Sequence, residues 1–421
     1  MYGEIGMNHV QNEFFWVIGG GLLQLPLISE VKDLGYKVIV SDRTRSCICA
    51  KEADIFIEAD IFDTKGHLEE AFRLKGSGIK ISGVLAAGID ATVTMAVLAK
   101  SLNLPGVDPY AAYITNNKDL FREVLRKLGY PVPKFKVINM RNFKEMGSAV
   151  KEIGYPLIVK NTDTSGSRGT KIFYESDLKG IKEAVKNAMF VSRSKRALIE
   201  KFWVGEEQTV ETIFDINGKF HPCFITDRIF DKSKGYALEL GLRHPTALPK
   251  KIQEEMYSLV ERVARDLGIR IGAAKADMIL TNQGPRIIEM TTRLSGGFDC
   301  QYLVPAATGK NVLRVAVLTA LGKKFSPELL VDKKHKVGLT ASIWPEQGKI
   351  VAIEGVGEAE KIPGFEKIFF RYNIGDVVES FVDCTKRVCF IIVTGNDEPA
   401  AKKVLQRVLN AVKIVTRRPN E

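Results

Sequence analysis

The sequence predicts an α/β protein that opens with a Rossmann-like parallel sheet, continues with α+β domains and ends with a small β-rich domain. Three observations support this fold class. The chain has 421 residues, 45% apolar and 26% charged, which is ordinary for two to four globular domains. Strand and helix patterns alternate over residues 13–115, which favours parallel βα units. From residue 116 onward, longer β-rich runs replace that alternation.

The first predicted domain spans residues 13–115 and follows a tail at 1–12. A strand ending at Ile18 and a helix over 22–35 lead to the strand KVIVSD. ADIFIEAD, a helix near 64–75, the strand ISGVLAA and the helix ATVTMAVLAKSLNL follow in order. Ligands of such sheets bind beyond the carboxyl ends of the strands. We therefore expect one crevice there, lined by residues 19–21, Asp42, Asp60 and residues 88–90.

The glycine-rich turn in VIGGGLLQL, residues 17–25, matches a dinucleotide fingerprint incompletely. Gly19 and Gly21 match the first two glycines of G-x-G-x-x-G, but Gln24 occupies the third position. A simple strand-to-helix turn is the favoured interpretation, and an NAD-dependent dehydrogenase is the alternative.

Composition and charge exclude several function classes. The net charge is +11, but the basic residues are dispersed and densest in the tail KIVTRRPNE, so we do not expect nucleic-acid binding. There is no run of 18 apolar residues and no secretory signal, so we expect no membrane partner and a cytoplasmic location. Six cysteines occur without a C-x-x-C pair, which predicts free thiols rather than a zinc site.

Two further domains are predicted at residues 116–325 and 335–415. The first holds the helix in NNKDLFREVLRKLGY, the strand–loop–strand PLIVKNTDTSGSRGTKIFY and a helix near 176–190. It continues with ALIEKFWVGEEQTVETIF, a strand broken at Gly205, and a helix from Pro249 to Leu267. Residues 335–415 alternate short strands and end with the helix PAAKKVLQRVLNAVK, which predicts an α+β domain.

The most informative stretch is AAKADMILTNQGPRIIEMTTRLSGG, which predicts a β-hairpin around TNQGP. If the turn centres on Gln283, Asp277 lies opposite Glu289 with Cβ atoms ~5 Å apart. Two carboxylates that close repel one another unless a cation or a proton lies between them. By strand alternation the same face carries Lys275, Thr291 and Arg293, and the core-facing side carries Ile288 and Met290. Because carboxylates with phosphate oxygens suit Mg²⁺, the hairpin predicts a metal site; a solvated charged edge is the alternative.

A second polar loop, TDTSGSRGT at residues 162–170, links two predicted strands. Its backbone N–H groups and hydroxyls can cradle phosphate, although it is not a Walker A sequence. Lys160 ends the preceding strand, and Lys118 opens the helix at 118. A flexible hairpin and ordinary surface lysines are the alternative interpretation.

The order of these motifs resembles the ATP-grasp superfamily of carboxylate–amine ligases, including L-amino-acid ligases and carbamoyl phosphate synthase large subunits. The superfamily resemblance lies in NNKDLFREVLRKLGYPVP, PLIVKNTDTSGSRG, LIEKFWVGEEQTVE and DMILTNQGPRIIEMTTRLSGG. The C-terminal stretch that begins ASIWPEQGKIVAIEGVGEAEKIPGF is similar to the final domain of L-amino-acid ligases, and SLNLPGVDPYAAYITNNKDLFREVL is similar to carbamoyl phosphate synthase large subunits. The resemblance implies an ATP-grasp domain at 116–325 with a lid at about 131–200. It also implies ATP with Mg²⁺ (or Mn²⁺), a small carboxylate and an amine as substrates, and a homodimer, which is common in that family.

The resemblance also implies roles for individual residues. Phosphate contacts are implied for Lys118, Lys160, Ser165, Gly166, Ser167 and Gly169. An adenine hinge is implied at Glu200, Lys201 and Trp203, a ribose contact at Glu207, and metal ligation at Asp277, Glu289 and Thr291. Arg293 would steady the transferred phosphate and Arg243 would meet the substrate carboxylate, although a surface salt bridge is an equal alternative for Arg243.

The chain departs from the family pattern at three positions. Thr291 stands where the family has Asn, Asn161 where it has Pro, and Asp277 where many members have Glu. We expect an acyl phosphate made from a small carboxylate, often an amino acid, and attacked by an amine. The alternatives are bicarbonate activation and nucleotide binding without turnover. In this interpretation the N–H groups of the 19–21 turn would meet a substrate carboxylate or phosphate.

Overall fold

The computed structural model describes residues 12–418. The first segment forms a parallel sheet with strand order β3-β2-β1-β4. Its strands are β1 (Glu13–Ile18), β2 (Lys37–Asp42), β3 (Ile55–Glu58) and β4 (Lys80–Leu85), and its helices are α1 (Leu25–Asp33), α2 (Thr64–Gly76), α3 (Thr92–Ser101) and α4 (Pro109–Thr115). The predicted parallel sheet is therefore confirmed. Helix α1 begins at Leu25 rather than at residue 22, with Pro26 in its first turn.

The next segment forms an antiparallel sheet, here named the lid sheet, with strand order β5-β8-β6-β7. Its elements are α5 (Lys118–Lys127), β5 (Phe135–Ile138), α6 (Met146–Ile153), β6 (Leu157–Asn161), β7 (Lys171–Phe173), α7 (Leu178–Val191) and β8 (Ala197–Lys201). Helices α6 and α7 bury apolar residues against one face of the sheet. The 162–170 loop connects β6 to β7, as predicted.

The central sheet has nine strands, and its first strand, β9, starts directly after the predicted break at Gly205. This segment contains β9 (Glu206–Phe214), β10 (Phe220–Asp231), β11 (Leu238–His244), α8 (Lys250–Asp266), β12 (Gly272–Ala273), β13 (Lys275–Thr281), β14 (Gly284–Thr291), α9 (Val304–Thr308) and α10 (Val312–Ala320). Helix α8 packs its apolar face against this sheet.

The C-terminal segment divides its strands between two sheets. It contains β15 (Val337–Ala341), β16 (Gly348–Glu354), α11 (Val356–Glu360), β17 (Phe365–Phe370), β18 (Val377–Val378), β19 (Cys389–Gly395), α12 (Glu398–Ala411) and β20 (Lys413–Arg417). Strands β15, β19 and β17 extend the central sheet in the order β14-β13-β9-β10-β11-β15-β19-β17, with β12 beside β9, and β18-β16-β20 form a separate sheet. The sequence missed β20, because its alternating Lys413–Arg417 was interpreted as a basic tail; it pairs with β16.

The parallel sheet and the central sheet share one hydrophobic core. Phe15 and Trp16 of β1 belong to the same buried cluster as Phe224 of β10 and Val315 of α10. The two sheets also meet through their backbones, because Gly88 N donates to Leu294 O over 3.1 Å. This junction places the end of β4 beside the turn that follows β14. No helix within residues 12–418 is long and apolar enough to cross a membrane.

Candidate active site

A cavity of about 330 Å³ lies between the lid sheet and the central sheet, within the usual size range for small-molecule sites. The lid sheet contributes Lys160 and Glu200, the hairpin of β13 and β14 contributes Asp277 and Glu289, and Gly88 comes from the parallel sheet. The C-terminal segment adds Arg371, Cys384, Thr385, Arg387 and Phe390. Every sheet except β18-β16-β20 therefore supplies part of this wall or its flanking loops.

Apolar side chains from both sheets line part of the cavity, here named the apolar slot. Ile158 of β6 faces this slot from the lid sheet, and Ile279 and Ile288 face it from the hairpin. Phe202 and Trp203, in the connection from β8 to β9, line the same part of the cavity. A flat, apolar ring system is the type of group that such a slot accommodates.

The two predicted phosphate lysines both reach the cavity. Lys118 Nζ donates to Thr164 O over 2.8 Å and lies 3.6 Å from Glu289 Oε2. Lys160 Nζ lies 2.6 Å from Glu200 Oε1. Together they bring two positive charges to the walls on which the carboxylates lie.

Glu200 lies in a buried ion-pair cluster. Arg122, one helical turn after Lys118, meets Glu200 Oε2 at 2.9 Å, while Lys160 holds the other oxygen. Burial opposes ionisation, but the two cations outweigh it and lower the pKa of Glu200 to about 2. The carboxylate predicted to meet adenine is thus occupied by ion pairs. Lys201 Nζ likewise donates to Tyr155 O, so both side chains that the resemblance assigned to the adenine hinge are already engaged.

The hairpin brings the predicted carboxylate pair together: Asp277 lies opposite Glu289, and Lys275 lies opposite Thr291. The turn differs from the prediction, because Thr281 pairs with Gly284 and the hairpin has a two-residue loop. A bulge between the Asp277 and Met278 pairings restores the predicted register. Ile288 is the extra residue, so it faces the cavity rather than the core.

Basic side chains compensate the charge of Asp277. Lys275 Nζ donates to Asp277 Oδ1, and Arg228 Nη1 lies 3.0 Å from Asp277 Oδ2. Burial would raise the pKa of Asp277, but Arg228 and Lys275 outweigh it and hold the pKa well below its usual range. Asp277 is therefore ionised, and two opposed carboxylates offer the hard oxygen donors that Mg²⁺ takes. Within residues 12–418 no cluster of three or more His, Cys, Asp or Glu could hold a metal.

The 162–170 loop is held by residues before and after it in the chain. Asn161 Oδ1 accepts from Thr164 N at 2.7 Å, and Asn161 Nδ2 donates to Arg168 O at 2.6 Å. Asn161, which stands where the family has Pro, therefore braces the loop. Ser165 Oγ donates to Asp90 Oδ2 over 2.7 Å, and Cys384 N donates to Gly166 O over 3.2 Å. These contacts connect the loop to the parallel sheet and to the C-terminal segment.

Arg293 lies in the turn after β14, beside the carboxylate of Asp90. Its Nη2 atom is 3.5 Å from Asp90 Oδ1, and its buried Nε has no hydrogen-bond partner among the described residues. The turn packs closely on the parallel sheet, since a Cβ on Gly88 would lie 3.1 Å from Gly296 Cα. Glu211 accepts from Ser295 N over 2.7 Å and fixes the turn further. Burial raises the pKa of Glu211 to about 7.

Most predicted site residues line this cavity, but Gly169, Thr291 and Arg243 do not. The lining includes Lys118, Lys160, Ser165, Gly166, Ser167, Glu200, Lys201, Trp203, Glu207, Asp277, Glu289 and Arg293. Gly169, within the loop, packs against Ala188 of α7. Thr291 directs its hydroxyl to Arg293 O over 3.4 Å. Glu207 accepts from Lys232 over 2.5 Å.

Arg243 lies away from the cavity, so the expected contact with a substrate carboxylate is not supported by this geometry. Arg243 pairs with Asp227 at 3.1 Å and with Glu398 at 2.8 Å. These contacts correspond to the salt bridge that was the alternative interpretation of this residue. The physical reason is strand alternation, because its neighbour Leu242 lines the cavity and adjacent residues face opposite sides.

The glycine-rich turn offers no free donors either. Gly19 N donates to Ser41 O over 2.7 Å, Gly20 N to Asp42 Oδ2 over 2.8 Å, and Gly21 N to Gln24 Oε1 over 2.9 Å. These N–H groups therefore already have acceptors within the protein, which disfavours both the expected contact with a substrate anion and the NAD alternative. Of the crevice predicted at the strand ends, Gly88 reaches the cavity and Asp90 reaches Ser165.

Sequence reasoning missed several charged residues of the cavity. Arg228 of β10 contacts Asp277 and lies 2.8 Å from Glu239 of β11. Arg387 meets the same Glu239 at 3.1 Å. Asp299, in a turn of π-helix that follows the glycines after Arg293, also lines the cavity. Alternation of polar residues in ITDRIF was a weak signal for Arg228, whereas Asp299 and Arg387 gave none.

Comparison with known proteins identifies the family. The family model "Carbamoyl-phosphate synthase L chain, ATP binding domain" matches residues 117–327, half of the chain, and "L-amino acid ligase C-terminal domain 2" matches residues 342–417. The protein therefore belongs to the ATP-grasp family of carboxylate–amine ligases.

Individual relatives are distant. The uncharacterized protein y4rH of Sinorhizobium fredii is 24% identical over 80% of this chain and 69% of its own length. Human carnosine synthase 1 is 23% identical over 77% of this chain, which spans 41% of that protein. The crystal structure of L-amino acid ligase from Bacillus licheniformis has a TM-score of 0.83 at 20% identity, covering 97% of this chain and all of that one. The last likeness shows the shared fold.

Proposed function

We propose that the protein uses ATP to activate a small carboxylate, such as an amino acid, as an acyl phosphate and couples it to an amine. The products would be the amide, ADP and phosphate. The observation that carries the proposal is that the residues lining the cavity come from two parts of the chain that match two different families. ATP-grasp elements supply Lys118, Lys160 and the hairpin carboxylates, whereas Arg371 and Arg387 come from the segment that matches L-amino acid ligases. The wall thus combines a nucleotide end with an end typical of amino-acid ligation.

In this mechanism the residues of the cavity bind the nucleotide, offset the charge of its phosphates or exclude water. The apolar slot would take adenine and Glu207 the ribose, while Lys118, Lys160 and the 162–170 loop would offset phosphate charge. Arg293 would hold the transferred phosphate through its unpaired Nε. Asp277 and Glu289 would hold Mg²⁺, which supplies electrostatic stabilisation of phosphate oxygens when bound. The loop, held by Asp90 and Cys384, would exclude water from the acyl phosphate.

The decisive experiment measures ADP release with Mg-ATP against amino acids, other small carboxylates and bicarbonate, singly and with amines. ADP release that requires a carboxylate and an amine together would support the proposal. Hydroxylamine, which traps acyl phosphates as hydroxamates, should replace the amine. Release with bicarbonate as the carboxylate would favour the carboxylase alternative, and ATP binding without release would favour a protein without turnover.

Two accompanying proposals concern cellular setting and assembly. We propose a cytoplasmic location, supported by six free cysteines at positions 47, 49, 223, 300, 384 and 389 and by the need for ATP. We also propose a homodimer, by analogy with the wider family. Light scattering of the purified chain tests the second point, and a monomer at working concentration would contradict it.

A further inference from the structure

One carboxylate of the cavity differs from all the others in its surroundings. Among the described residues, each of the remaining five lining carboxylates forms an ion pair with a lysine or arginine: Glu200, Glu207, Glu239, Asp277 and Glu289. Asp299 has no basic partner in that part of the chain. Its one hydrogen bond comes from Thr226 Oγ1, which donates to Oδ1 over 3.1 Å, and the residue is 1% exposed.

The backbone is strained in a way that directs Asp299 to this position. Phe298 adopts φ +65°, in the left-handed region that non-glycine residues rarely occupy. Its ring stacks on Phe369 at 4.2 Å between centroids and meets Phe390 edge-on at 5.0 Å. These contacts stabilise the conformation from which the π-turn of residues 299–303 begins. Such turns are frequent at functional sites, and here the strain holds a carboxyl group at the cavity wall.

The charged groups that face Asp299 do not neutralise it. Burial raises its pKa to about 8, and Glu211 and Glu239 add to the rise, while the Thr226 hydrogen bond and Lys275 oppose it. Burial also lowers the pKa of His244, whose Nδ1 lies 3.4 Å from Thr226 Oγ1, to about 4, so this imidazole is neutral. A buried carboxyl group without a partner either keeps a proton or receives a cation.

Resting on the proposed function, we infer that Asp299 binds the ammonium group of the incoming amine and takes a proton from it before attack. Every other carboxylate on the described wall is paired with a lysine or arginine, and Asp277 and Glu289 are the two that we assign to the metal. The ligand class is thus a primary ammonium group, such as the amino group of an amino acid. An uncharged nucleophile would not need this residue.

The proton balance of the step closes within the site. Asp299 releases its proton to solvent when the ammonium group binds, and then accepts one proton from that ammonium, which leaves a neutral amine. The nitrogen lone pair forms the C–N bond and the C–O bond to phosphate breaks. One of the two remaining N–H protons leaves with the phosphate, and the other stays on the amide nitrogen. Asp299 ends protonated, as it began.

The test compares two kinds of nucleophile, ammonium-bearing and uncharged, in the Asp299→Asn variant, with activation of the same carboxylate. Glycine, L-alanine and β-alanine serve as amine donors, and hydroxylamine serves as the uncharged nucleophile at neutral pH. We expect kcat/KM for the amines to fall about 100-fold, a typical contribution of a general base, while hydroxamate formation stays within about threefold. Glu30→Gln is the control, because it removes a half-buried carboxylate that pairs with Arg314, and neither residue lines the cavity.

The pH profile gives an independent readout. In the wild type, kcat/KM for the amine should rise with pH up to about 8, as Asp299 ionises, and Asp299→Asn should lose this limb. Thr226→Val removes the hydrogen bond to the carboxylate and should move the limb to higher pH. Equal loss of hydroxamate and amide, or no loss of either, would overturn the inference, as would an unmoved limb in Thr226→Val. Absence of hydroxamate in the wild type would instead refute the proposed function.

Discussion

The buried cluster of Arg122, Glu200 and Lys160 gives a prediction whose size follows from the structure. The pKa of Glu200 falls from an ordinary 4.5 to about 2, which corresponds to about 3 kcal/mol at roughly 1.36 kcal/mol per pKa unit. Glu200 is 3% exposed and Arg122 2%, so solvent does not screen the pair. Removing one member of such a buried cluster costs roughly 3–5 kcal/mol, because the remaining charges lose their partner. Glu200→Gln should therefore destabilise the protein by at least about 3 kcal/mol near neutral pH.

The pH dependence has a definite sign. Because the folded state lowers the pKa of Glu200, its stabilising contribution is complete above about pH 5 and is lost as the pH falls towards 2. Urea unfolding, followed by circular dichroism, should show the difference between wild type and Glu200→Gln shrinking to less than half by about pH 3.

The control residue, Glu123, lies on α5, the helix that carries Arg122. Glu123 pairs with Arg126 at 2.7 Å, but both side chains are largely exposed, so Glu123→Gln should cost less than about 0.5 kcal/mol. The reasoning is refuted if Glu200→Gln costs no more than this control, or if its cost stays constant down to about pH 3.

Further predictions concern the chemistry of the cavity. Glu289→Gln should abolish Mg-dependent ADP release without unfolding the protein, and unchanged release would remove Glu289 from the metal site. Lys118→Met should raise KM for ATP about tenfold or more, since it removes a cation from the phosphate end; titration with ATP checks this. Arg293→Met should reduce kcat at least about 100-fold while Arg243→Met, on the opposite face, leaves kcat within about threefold; equal effects would contradict the placement. Thr291→Asn should preserve or raise activity, and a folded, inactive variant would show that its hydroxyl has another role.

Local patterns predicted the parts of the site that lie within one element or one hairpin. The opposition of Asp277 and Glu289 followed from strand period and turn composition, although the bulge at Ile288 could not be read from residue types. A single extra residue reverses which face a side chain occupies. Ile288 therefore lines the cavity where alternation predicted a core position.

Long-range packing determined the parts that the sequence could not predict. Asp42 lies 22 residues from Gly20 and takes its N–H group, and Arg387 reaches Glu239 across 148 residues. Neither contact has a local signal, because each depends on how separate strands pair. The glycine turn was consequently interpreted as a possible ligand site, and Arg387 was not identified as a residue of the cavity.

The charges around the cavity come both from residues that local patterns predicted and from residues that long-range packing brings there. The hairpin, predicted locally, brings two carboxylates to one wall, and Arg228 and Lys275 keep Asp277 ionised without saturating both acids. Glu289, by contrast, meets Lys118 at 3.6 Å, a contact loose enough to yield to a harder cation and to free the lysine for phosphate. Asp90 similarly lies against Ser165 and Arg293, the groups proposed to receive phosphate. The groups proposed to bind phosphate and metal are therefore paired with opposite charges of the protein itself. A phosphate–metal pair would replace both sets at once and would couple nucleotide binding to rearrangement of the loop.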